Sequence, residues 1–328
     1  MEAYLGRCLE SLLIPKLDAL EVIVVNDGSH DRTSEIAHEF ADKYPGTYRV
    51  IDKPNGNYGS CINAALPTVT ARYVRLLDAD DYYDTCALRD FVDTLQIIDA
   101  DAVFTGYRVV DNYGNEGKSL YASLLPYNVP HDFSVVDIQL QNYDIQMHAL
   151  TFKTEVFKRF NYVQTEGVSY SDSEWVIYPL SYCNSVIFLE LLVYNYVKGR
   201  NGQTVSKQML RKHYADIIKV GHDSIDFIVH NNILNQEFAE KQLALKHIYA
   251  FIIALLNRDK TSLKLFNDHD KYVASKSQTI YTSSDSHTLL RFYRMMGSPT
   301  GSLFSWMGTA WIHMDNLLKK VCQMTYNL

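Results

Sequence analysis

Three carboxylates fall within four positions, Asp78, Asp80 and Asp81, directly after the apolar run of residues 73–77. Side chains alternate along an extended chain, so the spacing predicts Asp78 and Asp80 on one side of a strand end and Asp81 on the other. Two carboxylates on one side form a seat for a hard divalent cation and for the phosphate oxygens that cation neutralises. The plainer account is a strand end before a helix start, where acids complement the helix dipole. It covers Asp81 or Asp84 and leaves Asp78 and Asp80 over. Other polar clusters stand at Asp27-Gly28-Ser29, at residues 53–60 with Asn57 and Gly59, and at residues 166–175 with Asp172 and Glu174. In the last of these, Ser171 or Asp172 can cap a helix, which is its plainer explanation.

The elements that must position these residues follow from the hydrophobic pattern. Leu5, Cys8, Leu9, Leu12 and Leu13 recur at helical spacing. Residues 21–26 form a nearly continuous apolar run, the pattern of a strand buried on both faces, and lead through Asp27-Gly28-Ser29 into a helix over residues 32–43. A strand over residues 48–52, a helix over 60–66, the acidic strand, a helix over 84–98 and a strand over 101–110 follow. Strands alternating with helices predict an α/β domain with a mostly parallel sheet and ligands at the carboxyl ends of its strands. Asp27, the 55–59 loop and Asp78/Asp80 all fall at such ends.

Residues 111–144 read as an irregular excursion with one helix over 134–143, residues 145–152 as a strand carrying His148, and 185–190 and 193–198 as two more strands. A loop with Arg200 and Gln203 follows. From residue 206 the pattern turns helical, with a polar break over residues 267–287. The expected domains are therefore 1–205 and 206–328. Residues 303–321 carry an apolar stripe, which suits either packing against the other tail helices or lying on a membrane surface.

With 47% hydrophobic and 21% charged residues among 328, the chain can bury a sizeable core. A formal charge of -7 argues against nucleic acid as a partner, so a phosphate ligand must be met locally. No Gly-x-Gly-x-x-Gly follows a strand and no Walker loop is present, which leaves a cation as the means of holding phosphate. Five cysteines without a Cys-x-x-Cys pair read as reduced cytosolic thiols. No signal peptide opens the sequence and no apolar run is long enough to span a bilayer. The expected location is cytoplasmic, or peripheral on the inner face of the cell membrane.

Four segments in order, Tyr4-Leu5 with Cys8 to Leu12, Val22 to Ser29 with Asp31 and Thr33, Asn57-Tyr-Gly59 with Asn63, and Tyr73 to Asp81, resemble glycosyltransferase family 2. More loosely, residues 172–206 resemble it too. The resemblance implies a GT-A fold and an inverting, metal-dependent transfer from a nucleotide sugar, with a UDP-sugar as donor. The acceptor implied is a hydroxyl of a glycan or lipid-linked molecule, in cell-surface polysaccharide synthesis. It implies that Asp27, Gly28, Asn57, Gly59 and Asp78 contact the nucleotide, that Asp80 binds Mg²⁺ or Mn²⁺, and that Asp172 is the general base. Glu174 is the rival base, Arg200 and Gln203 are candidate diphosphate contacts, and His148 is a candidate acceptor contact or a satisfied core histidine.

Two departures from the family pattern bear on activity. Members open on an apolar strand that this sequence does not contain, so the first strand is expected to be missing from the sheet. Ile62 stands where many members have arginine before the asparagine, leaving Lys53 or Arg200 to supply the cation. A catalytically inert nucleotide- or glycan-binding relative is therefore the alternative to an active transferase.

Overall fold

The computed structural model describes residues 1–120, 125–140, 145–199 and 207–299. Arg200, Gln203 and the 303–321 stripe lie outside them. The described residues fall into two compact units, one of residues 1–199 with 233–239 and one of 207–232 with 240–299.

The first unit begins with α1 (Glu2–Glu10), whose Leu5, Cys8 and Leu9 are buried. Strand β1 (Val22–Asp27) runs into α2 (Thr33–Lys43), and β2 (Tyr48–Lys53) into α3 (Asn57–Ala65). β1 and β2 pair in parallel, in a register that sets Asp27 opposite Lys53. Strands β3 (Tyr73–Val74) and β4 (Tyr82–Tyr83) flank the acidic segment, and α4 (Thr85–Ile97) and β5 (Ala102–Val110) follow. β6 (Glu116–Leu120), β7 (Pro130–Asp132) and α5 (Phe133–Leu140) fill the expected irregular excursion, and β8 (Leu150–Lys153), α6 (Asp172–Leu180) and β9 (Ser185–Val197) complete the unit.

The expected α/β core with a helical region after it is present, but the sheet is mixed, not mostly parallel. Seven strands form one sheet with the path β3-β8-β5-β9-β4, with β6 on β5 and β7 on β9. Only β5 and β9 pair in parallel in it. β1 and β2 stand apart as a two-stranded sheet, with no second neighbour for β1 among the described residues. The two strands expected between residues 185 and 198 are one. Pairing on β5 skips from Leu189 to Leu192, so the irregularity that reads as a break is a bulge within a continuous strand. One hydrophobic cluster joins α1, α4, β5 and β9, with Val22, Val24, Tyr73 and Leu77 packed on it.

The second unit comprises α7 (Lys207–Lys212), α8 (Tyr214–His230), most of α9 (Gln236–Asn257), α10 (Lys260–Lys276), α11 (Gln278–Ser283) and α12 (Thr288–Met295). The expected polar break over residues 267–287 is helical, formed by the second half of α10 and by α11. In α10, Leu263, Phe266 and Val273 are buried, and its polar residues face inward in pairs: Asp270 accepts from His247 Nε2 at 2.8 Å and from Arg294 at 2.5 Å. Paired polar side chains can stay in a helical core, which a hydropathy pattern alone does not anticipate. No described helix is long and apolar enough to cross a membrane.

Candidate active site

The acidic segment is a turn and not a strand end. β3 stops at Val74, and the Asp81 N–H donates to the Asp78 carbonyl at 2.9 Å. An i to i+3 bond brings the ends of four residues together. The pair that converges is therefore Asp78 and Asp81, in place of the Asp78 and Asp80 expected from alternation. One ligand atom each of Asp78, Asp81 and His148 lies within 4.8 Å of the others.

Asp81 is 1% exposed, and its carboxylate accepts from Tyr194 Oη at 2.6 Å and from the Val197 N–H at 2.7 Å. It is the internal anchor of the turn and not a helix cap. The cap of α4 is Asp84, which accepts from the Ala87 N–H at 2.9 Å. Arg7 on α1 donates to the Asp80 carbonyl at 3.2 Å and lies 4.4 Å over the Tyr82 ring, holding the turn from the other side.

Burial pushes the Asp78 carboxyl well above the ordinary range, and Asp81, Asp80 and Asp172 add to the shift. The same burial raises Tyr58, with Asp78 and Asp172 next in effect. Asp172, the first residue of α6, is solvent-exposed, and its charge adds to the upward shifts of both Asp78 and Tyr58. Tyr58, whose hydroxyl also lies 3.0 Å from Met147 Sδ, is a site residue the sequence did not single out. Its signal was there in the Asn57-Tyr-Gly59 segment, but no pattern says that an aromatic side chain in that loop reaches between two carboxylates.

His148 sits in a 3-10 turn, Met147–Ala149, ahead of β8. Its ring stacks on Tyr196 at 4.3 Å and meets Tyr194 edge-on at 4.7 Å, with Nε2 4.0 Å from Asp81 Oδ2. Burial, then Arg75 and Lys198, lower it to about 3, so it is neutral and can offer a lone pair. Beneath it the half-buried Arg75 donates to the His148 carbonyl and to Thr105 Oγ1 at 2.9 Å.

Asp27 ends β1 inside a network of its own. Its Oδ1 accepts from Lys53 Nζ at 2.7 Å and from the Gly56 N–H at 2.9 Å, and Asn55 Nδ2 donates to its carbonyl at 3.1 Å. Lys53, one of the two cations expected to meet phosphate, is paired here with Asp27. Gly28 turns the chain at φ +70°, where a Cβ would meet Asn55 N at 3.0 Å. At Gly59 a Cβ would lie 2.1 Å from the Thr165 carbonyl oxygen, so glycine there serves the approach of two loops. Asn57, exposed at the start of α3, has a left-handed φ of 64°.

Glu174 does not share the exposure of Asp172. It is fully buried, and its oxygens accept from the Thr165 N–H at 2.7 Å and from Thr165 Oγ1 at 2.6 Å. α6 begins at Asp172, so Glu174 is two residues on and turned inward, where an acceptor hydroxyl does not reach it.

A divalent cation suits this chemistry. A carboxyl whose pKa is pushed up by burial and three other carboxylates gains most when a cation stands beside it. Asp78 and Asp81 offer the hard oxygens that Mg²⁺ or Mn²⁺ takes, and His148 the neutral imidazole that Mn²⁺ accepts.

Residues 2–160 match the family description "Glycosyl transferase family 2". Among curated proteins, an uncharacterized glycosyltransferase EpsJ of Bacillus subtilis is 32% identical over 107 residues, covering 33% of this chain and 31% of that protein. The chondroitin synthase of Pasteurella multocida is 38% identical over 85 residues, covering 26% and 9%. The chain thus spans less than a third of the length of these relatives. Among solved structures, S. aureus TarS 1-349 superposes with a TM-score of 0.53 at 16% identity, covering 88% of each chain. The same protein in complex with UDP-GlcNAc gives 0.50 at 18% identity, again over 88% of each. A likeness of that extent between sequences so different is one of fold, and it agrees with the mixed sheet and following helices found here. The turn chemistry of Asp27-Gly28-Ser29 and of Asp78 to Asp81 lies inside the matched span, so residues 2–160, just under half of the chain, are similar to glycosyltransferase family 2.

Proposed function

We propose that the protein is an inverting glycosyltransferase that moves a sugar from a UDP-sugar to a hydroxyl of a glycan or lipid-linked acceptor, with Mg²⁺ or Mn²⁺ and with Asp172 as general base. The observation that carries this reading is the convergence of ligand atoms of Asp78, Asp81 and His148 to within 4.8 Å of one another, inside the span that matches the family. A base and a cation seat facing one volume are what a displacement at an anomeric carbon requires. Asp172 takes the proton of the acceptor hydroxyl as that oxygen forms its bond to the anomeric carbon. The bond from that carbon to the diphosphate oxygen breaks on the opposite face, and its electron pair leaves with the diphosphate. A bound divalent cation would offset the charge growing on that leaving group. Asp78 and Asp81, with His148 beside them, would hold the cation, Arg7 would hold the turn, and Asp27 with the 55–59 loop would lie at the nucleoside end.

The assay is transfer and hydrolysis over a panel of UDP-sugars with Mn²⁺ or Mg²⁺, beside calorimetry with UDP. Asp172→Asn is expected to bind UDP and lose transfer, and Asp78→Asn to lose both. Full transfer by either variant would remove the proposal. An inert relative, a reading that draws on the half-paired β1, would show no turnover of any donor by the wild-type chain.

A further inference from the structure

Two loops far apart in sequence are zipped together beside the proposed base. On the donor side stand residues 55–63, and on the base side residues 164–174. The Gly167 N–H donates to the Gly56 carbonyl at 2.9 Å. Asn63 forms a reciprocal pair with Gln164, donating from Nδ2 to its carbonyl at 2.9 Å and accepting its N–H on Oδ1 at 2.9 Å. From there the chain of bonds turns toward Asp172: Gln164 Nε2 donates to the Ser171 carbonyl at 2.8 Å and to Ser171 Oγ at 3.2 Å. Glu174, on the first turn of the same helix, binds back to Thr165 through both oxygens. Gln164, Ser171 and Glu174 are each 0% exposed, and the Gly56 N–H closes the chain onto Asp27.

Buried polar groups fully engaged in this way fix geometry, because each rearrangement leaves a partner unmet in a low-dielectric interior. The network brackets Asp172 along the chain, with Ser171 directly before it and Glu174 two residues after it on the first turn of α6. Resting on the transferase reading above, we infer that Glu174, acting through Thr165, and Gln164, acting through Ser171, are positioning residues that hold Asp172 at a fixed place relative to the donor loop. Neither is a proton acceptor in the reaction. Ordering of the 55–60 loop by a nucleotide is thereby transmitted to the base through Gly56–Gly167 and Asn63–Gln164.

The test compares Glu174→Ala, Glu174→Gln and Gln164→Leu in the full chain, by steady-state transfer, UDP calorimetry and amide exchange of residues 164–172. Displacing a base by about 1 Å costs on the order of 100-fold in rate. Glu174→Ala and Gln164→Leu should lower kcat by about that factor with UDP affinity kept, and should speed exchange of the Thr165 N–H. Glu174→Gln should recover most of the loss, since an amide oxygen still accepts from the Thr165 N–H while its NH₂ donates to Thr165 Oγ1. If Glu174→Gln is as inactive as Asp172→Asn, Glu174 is itself a base and the inference is overturned. Loss of UDP affinity in step with kcat would overturn it too, as would Glu174→Ala with wild-type kcat and exchange. A wild-type chain that transfers nothing defeats the transferase reading instead, and the exchange of residues 164–172 then judges the network on its own.

Discussion

Gly59→Ala puts a single methyl group where two loops meet. Its Cβ would fall 2.1 Å from the Thr165 carbonyl oxygen, 2.9 Å from the carbonyl carbon and 3.2 Å from Gln164 Cγ. Ordinary contact begins near 3.5 Å, so the Thr165 carbonyl must retreat by about 1.4 Å (3.5 less 2.1). The neighbour is backbone, held by its own bond to Glu174 at 2.7 Å and by Gly167 on Gly56 at 2.9 Å, and no rotamer change relieves it. Overpacking costs about 1–3 kcal/mol. Losing the Gly167–Gly56 bond and one of the Asn63–Gln164 pair adds about 1 kcal/mol each. The expected destabilisation of the first unit is therefore about 3–5 kcal/mol. Urea unfolding followed through Trp175, fully buried on α6, reads this unit. A variant within about 0.5 kcal/mol of wild type, the usual range for surface substitutions, would show that the two loops are not packed as described.

Other perturbations follow from the charges. Asp78 has a raised folded pKa, so the folded state without metal binds more protons than the unfolded one above about pH 3.9, and its stability from this group falls as pH rises toward the folded value. Mn²⁺ should accordingly raise the Tm more at pH 8 than at pH 5, and Asp78→Asn should make the metal-free chain more stable at pH 8; equal metal effects at both pH values would refute this. In the second unit burial holds His247 and His269 below their ordinary value, so the unfolded state binds the extra protons and stability drops as pH falls below about 6.5. Thermal unfolding between pH 5 and 7 measures it, and a flat profile would contradict it. Arg294→Met should cost about 3–5 kcal/mol by leaving Asp270 buried without its guanidinium, read by urea unfolding of that unit.

Much of the site was legible in the residue order. The turn after β1, the helix capped at Asp84, β5 and the acid-bearing stretch at residues 78–81 all declare themselves through local patterns: an apolar run, a turn residue, a capping side chain. Asp172 was legible because its segment resembles a known family. The local signals failed where a turn replaces the expected strand end. Alternation predicts Asp78 with Asp80, and it is the bond from the Asp81 N–H to the Asp78 carbonyl that replaces this pairing by Asp78 with Asp81.

The sequence by itself determined the α/β core, the helical region after it, the family of residues 2–160 and the residue types able to hold a cation and accept a proton. Tertiary structure alone decided how those residues divide their work. Asp172 and Glu174 look alike two positions apart, yet the helix that starts at Asp172 leaves one exposed and turns the other onto Thr165. Gly59 reads as a ligand-approach glycine and proves to make room for a carbonyl more than a hundred residues on. His148 reads as an acceptor contact or a core histidine; it is buried, and what the fold adds is that it lies beside Asp81. For Gly59 and His148 the deciding interaction joins distant segments, and for Glu174 it joins a helix to the loop before it, whereas periodicity, propensity and capping act only over a few residues.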